Sequence, residues 1–105
     1  MHFHDTRGMA VANTLAALEM GICTFDASAG GLGGCPYAPG ASGNMATEDL
    51  IYLLNSLAIE TGVDLDRLTA ATDVIAPFLD HPLPGRVLQS RTGGRQKFGV
   101  ASVVQ

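Results

Sequence analysis

The spacing of apolar positions divides the first 80 residues into short β-like runs and longer helical ones. Residues 1–4 alternate polar and apolar side chains before Asp5 and Thr6, the pattern of a strand end, which puts His2 and His4 on one face. Over residues 8–20, Met9, Ala12, Ala16 and Met20 recur at helical spacing, with Val11, Leu15 and Leu18 widening the stripe. Asp5 or Thr6 is placed to cap this helix and Gly21 to end it. Residues 22–28 favour β structure at their start and become small toward their end, which predicts a second strand. Strand, helix, strand within 28 residues is the βαβ unit of a parallel sheet. Thr47 then stands as a cap before Glu48 and Asp49, and Leu50, Ile51, Leu53, Leu54, Leu57 and Ala58 give an amphipathic stripe closed by Gly62. Asp64 caps a third helix with Leu65, Leu68, Ala71, Val74, Ile75, Phe78 and Leu79 in phase, distorted near its end by Pro77. From His81 onward, Pro82, Pro84 and the later glycines predict extended, weakly ordered chain.

About two parallel strands and three helices make an α/β arrangement with a physical problem. Parallel sheets are normally covered on both faces, and here both sheet edges would be unpaired. The chain therefore reads as part of a larger sheet. Between the second strand and second helix, residues 30–44 hold six glycines and two prolines among fifteen residues. Neither a helix interior nor a regular strand tolerates that composition, so this is a loop, placed like a mobile flap over a site.

Composition bounds the class. At 105 residues the chain has room for one domain, and 47% hydrophobic with 15% charged residues is the balance of a globular protein. Charge is split: residues 1–85 hold all ten carboxylates against Arg7 and Arg67, whereas residues 86–105 hold Arg86, Arg91, Arg95 and Lys97 and no acid. An acidic body does not attract nucleic acid, and the basic end is short. There is no signal-peptide pattern and no run long enough to span a membrane, so no membrane partner is expected. A soluble protein, cytoplasmic in a bacterial cell, is the expectation, with a mitochondrial address left open for a longer parent chain. The two cysteines show no zinc or disulfide spacing; Cys23, in an apolar run, reads as a core residue.

Three features carry candidate chemistry. His2 and His4, two apart at the C-terminal end of a strand, could chelate one divalent ion, although H-x-H alone reads more readily as two exposed histidines. Asp5 beside them is either an outer-sphere carboxylate or a helix cap. Cys35, between glycines, has an accessible sulfur that could serve as general acid, base or nucleophile. Asn44 brings a carboxamide to the far end of the flap, as a metal ligand or, more simply, a turn residue.

Taken together, H-F-H-D-T at residues 2–6, A-N-T-L-A at 12–16, D-A-S at 26–28 and G-L-G-G-C-P-Y-A-P-G-A-S-G-N at 31–44 resemble the 3-hydroxy-3-methylglutaryl-CoA lyases. The likeness runs from residue 2 to about residue 88. The histidine motif is shared with related metal-dependent synthases of isopropylmalate and homocitrate, whereas the flap is specific to the lyases. The resemblance implies a (β/α)₈ TIM barrel of about 250 residues or more, of which this chain would be a partial barrel, incomplete as an isolated chain. Residues 1–85 would be the C-terminal barrel part, with residues 1–4 and 22–28 as its last two strands, and residues 86–105 a flexible basic tail. By the same resemblance His2, His4 and Asn44 are metal ligands for Mg²⁺ or Mn²⁺, Cys35 is the catalytic flap cysteine, and the substrate is an acyl-CoA, cleaved to acetyl-CoA and acetoacetate as in leucine degradation and ketone-body formation. The arginine–aspartate pair of the family's first strand and the acids of its middle strands do not occur here. Completion by a missing N-terminal barrel portion, or a homo-oligomer, is therefore expected. A related synthase and a non-catalytic half-barrel interaction module are the alternatives.

Overall fold

The computed structural model describes residues 1–34 and 43–95, with the side chains of residues 92–95 left aside. Four α-helices are present among them: α1 (Ala10–Glu19), α2 (Thr47–Ser56), α3 (Leu65–Ile75) and α4 (Arg86–Arg95), with 3₁₀ turns at Ala29–Gly31 and Ala76–Phe78. The second turn contains Pro77, which ends the regular part of α3 as its missing N–H requires.

The expected strands are shorter than the pattern suggested. Among the described residues there are isolated bridges, parallel between His2 and Asp26 and between Ser28 and Ala46, antiparallel between His4 and Asn44. The two segments pair directly at their beginning, where Asp26 N donates to Met1 O at 3.1 Å. Further along, residues 44–46 enter between them: Met45 N donates to Phe3 O (3.2 Å) and Ser28 N to Met45 O (2.9 Å). This third segment wedges the two apart, so a continuous ladder does not form. It also carries Asn44 to the ends of both. Cys23, expected in the core, is exposed, because nothing among the described residues covers that side of the segment.

A small core of Ala10, Met45, Leu50 and Leu54 lies under these segments, with Phe3, Leu18, Phe25 and Ala27 against it. The N-cap of α1 is Met9, without a side-chain bond, rather than Asp5 or Thr6; Asp5 reaches the helix start from four residues before that cap, its Oδ1 accepting from Ala10 N at 3.0 Å. The buried face of α1, however, is Ala10, Thr14 and Ala17, not the predicted stripe; Met9, Val11, Leu15 and Met20 are exposed. The helix is apolar nearly all round, so periodicity could not choose a face. Small side chains let α1 approach Met45, whose sulfur lies 3.3 Å from the Thr14 hydroxyl. In α3 the buried residues are likewise Thr69 and Thr72, while Val74, Ile75 and Phe78 face outward, Phe78 being 87% exposed.

Asp64 caps α3 by accepting from Arg67 N at 3.0 Å. Thr47, by contrast, is the first residue of α2 rather than its cap, which is Ala46 with no side-chain bond. The end of α2 comes at Ser56 and is turned by Ala58 (φ 58°), earlier than Gly62.

The segment expected to be extended instead folds back and forms α4. Its start is held from a distance: Asp49 Oδ1 accepts from Val87 N at 2.8 Å and Oδ2 from Arg86 N at 3.2 Å. Leu83 and Leu88 are buried, and Arg91 meets Asp66 of α3 at 2.7 Å. Asp49→Ala is expected to lose about 1 kcal/mol of capping stability and to raise amide exchange selectively over residues 86–90. Unchanged exchange there would refute the capping role.

Candidate metal centre

Strand geometry puts His2 and His4 on one side, and pairing with Asn44 sets the carboxamide residue directly opposite His4 on that side. The two imidazoles converge: His2 Nε2 and His4 Nε2 are 3.0 Å apart, with the rings edge to face at 4.9 Å between centroids. Two nitrogens each about 2.1 Å from one cation and about 90° apart stand about 3.0 Å from one another. The observed spacing therefore suits adjacent positions of an octahedral ion. Without an ion, one nitrogen must donate to the other.

His2 Nδ1 lies 2.6 Å from Asp26 Oδ1. A carboxylate accepts only, so Nδ1 carries the proton and His2 Nε2 presents its lone pair to the space shared with His4. Asn44 is also held. Its Nδ2 donates to Leu32 O at 3.0 Å, which commits the NH₂ end and leaves Oδ1 as the acceptor. Gly33 permits this: its φ of 118° excludes most side chains, and a Cβ there would come within 2.6 Å of Asn44 Nδ2.

The roots of the flap are brought together beside these groups. Gly43 N donates to Gly33 O at 3.3 Å, and a Cβ on Gly43 would overlap the Gly34 carbonyl. Asp5 N donates to Gly43 O at 2.6 Å, tying the same neck to the histidine segment. Gly30, at the other root, is fixed by Glu48 Oε1, which accepts from Gly30 N at 2.8 Å, and its φ of 67° favours glycine, with Leu83 packed against its Cα. Cys35, the candidate flap cysteine, lies outside the described residues.

Of the predicted residues, the structure thus brings His2, His4 and Asn44 to one side. Asp26 was legible only as part of a motif, with no role; it is its bridge to His2 that gives it one. Among the described residues no group of three or more His, Cys, Asp and Glu side chains is placed to hold a metal ion. The donor set is two imidazoles and one amide oxygen, and it fits a divalent cation only with further oxygen donors. A separate groove of about 580 Å³, lined in part by Val11, Tyr52 and Arg86, does not include the histidines.

Paired imidazoles and a carboxamide at the ends of extended segments, beside a glycine-necked loop, define a candidate divalent-cation site. The HMGL-like family model matches residues 1–75, and the chain belongs to that family. It is 58% identical over 89 residues, 85% of its length, to the hydroxymethylglutaryl-CoA lyase of Bacillus subtilis. A crystal structure of the B. subtilis HMG-CoA lyase superposes with a TM-score of 0.83 at 57% identity, covering 87% of this chain and 30% of that one. The HMG-CoA lyase of Acinetobacter baumannii, in complex with coenzyme A and 3-methylmalate, matches with a TM-score of 0.73 at 42% identity over 99% of this chain and 32% of that one. The chain spans 18–30% of the length of the curated relatives it matches. No helix among the described residues is long and apolar enough to cross a membrane.

Proposed function

We propose that this chain supplies the metal-binding and flap part of a hydroxymethylglutaryl-CoA lyase, a partial TIM barrel that works with the remaining strands. The observation that carries this reading is the convergence of His2 and His4 at 3.0 Å beside Asn44 and the roots of the flap. The exposed apolar faces of α1 and α3 support completion by further chain, a homo-oligomer being the alternative. The coenzyme A in the A. baumannii relative supports an acyl-CoA substrate. Residues 1–85 are the barrel part in this reading, and α4 (Arg86–Arg95) docks on them through Asp49 and Asp66. The bacterial relatives favour a cytoplasmic setting.

In the proposed reaction, the hydroxyl of 3-hydroxy-3-methylglutaryl-CoA gives up its proton and the carbon–carbon bond breaks as that oxygen becomes the ketone of acetoacetate. The electron pair left on carbon then takes a proton to give acetyl-CoA. His2, His4 and Asn44 would hold a divalent cation, Mg²⁺ or Mn²⁺, which when bound would supply a Lewis acid to the reaction. His2 and His4 offer two adjacent nitrogens and Asn44 an uncharged oxygen, so the chain's own donors leave the positive charge of the site undiminished. Cys35 follows the flap neck by one residue from Gly34, and we assign it the proton that the acetyl-CoA fragment takes up.

The test is carbon–carbon cleavage of 3-hydroxy-3-methylglutaryl-CoA to acetyl-CoA and acetoacetate, by the chain alone and after addition of the part of the B. subtilis lyase that it does not match. Negligible turnover alone and recovery on mixing are expected. Full-rate cleavage by the 105 residues alone would overturn the account. A stable, folded oligomer that takes up no Mn²⁺ would point to the interaction module instead. Turnover unaffected by Cys35→Ser in the mixture would favour a synthase of the same group.

A further inference from the structure

We infer that Asp26 is the positioning residue of the metal centre, holding His2 in the tautomer and orientation that bind the ion. This rests on the reading of His2 and His4 as ligands. The bridge between His2 and Asp26 aligns the two residues on adjacent extended segments, and Asp26 N donates to Met1 O at 3.1 Å, which fixes the backbone on both sides of the contact. The side chains then meet at 2.6 Å, within the short range of a charge-assisted bond. His2 could otherwise carry its proton on either nitrogen. With Asp26 accepting at Nδ1, Nε2 keeps its lone pair available on the side it shares with His4 Nε2. A carboxylate on the far nitrogen also makes the imidazole a stronger donor, the arrangement found behind many metal-bound histidines.

The competing description is an ordinary exposed ion pair. Both side chains are more than half exposed (55% and 66%), so the contact contributes little to folding stability in either case. Metal affinity and tautomer, not stability, separate the two. Mn²⁺ titration followed by electron paramagnetic resonance, on the whole chain, is expected to give a 10–100-fold weaker affinity for Asp26→Ala. Asp26→Asn, whose amide oxygen still accepts from Nδ1, should fall between that variant and the parent. In the metal-free protein, ¹⁵N shifts of His2 should report a proton on Nδ1, and this preference should be lost in Asp26→Ala. Parent-like affinity in Asp26→Ala, with affinity lost in His2→Ala, would overturn the positioning role and leave the metal centre standing. Parent-like affinity in both variants would overturn the metal centre itself.

Discussion

Replacing His2 and His4 together by alanine is expected to abolish divalent-cation binding, with an affinity loss of more than about 100-fold, beyond the range of outer-shell changes. The argument is one of donor number. The described residues offer two nitrogens and one amide oxygen, so the double variant leaves a single neutral ligand. An isolated amide oxygen competes poorly with water for a hard cation. The fold should survive, because neither imidazole belongs to the core; Phe3, between them, is the residue that packs inward against Phe25. Substitutions of this kind usually change stability by less than about 0.5 kcal/mol. Mn²⁺ resonance and a urea melt on the same sample check both halves. Retained binding at parent strength would dismiss the site, and loss of binding together with loss of fold would dismiss its independence from the core.

How far this site was legible follows from which interactions are local. The His2–His4 pair needs only the two-residue period of extended chain, so the sequence places both on one side without further information. Asn44 stands forty residues away from His4; the family flap pointed to it, and the wedge of residues 44–46 explains how it arrives. Asp26 required knowing the register of two segments, which an apolar pattern does not encode. The helices repeat the lesson. The start of α3 is written locally in Asp64, whereas α4 contains Ser90, Thr92, Gly93 and Gly94 and has no convincing helical pattern of its own; its first turn depends on Asp49, 37 and 38 residues earlier. Which face of α1 turns inward could not be read either. Long apolar side chains dominate any periodicity, and here Met9, Val11, Leu15 and Met20 face outward while Ala10, Thr14 and Ala17, with Leu18 beside them, turn inward.

Glu48 carries the largest expected effect on stability: Glu48→Ala should cost about 1–3 kcal/mol, because the buried Gly30 N–H loses its acceptor while the Thr72 hydroxyl falls back on Leu68 O. The carboxylate is fully buried in the first turn of α2, where the helix end favours negative charge. Oε1 accepts from Gly30 N at 2.8 Å and Oε2 from the Thr72 hydroxyl at 2.7 Å. One side chain thereby joins the flap root, α2 and α3. Glu48→Gln should be far milder, within about 1 kcal/mol of the parent, since its neutral amide keeps both bonds. Its oxygen can still accept from Gly30 N, and its NH₂ can donate to Thr72 Oγ1 once that hydroxyl turns its own proton to Leu68 O, already 3.1 Å away. Urea unfolding of the two variants beside the parent makes the comparison. Equal losses for alanine and glutamine would mean that the negative charge itself, rather than the pair of hydrogen bonds, holds the flap root to the helices.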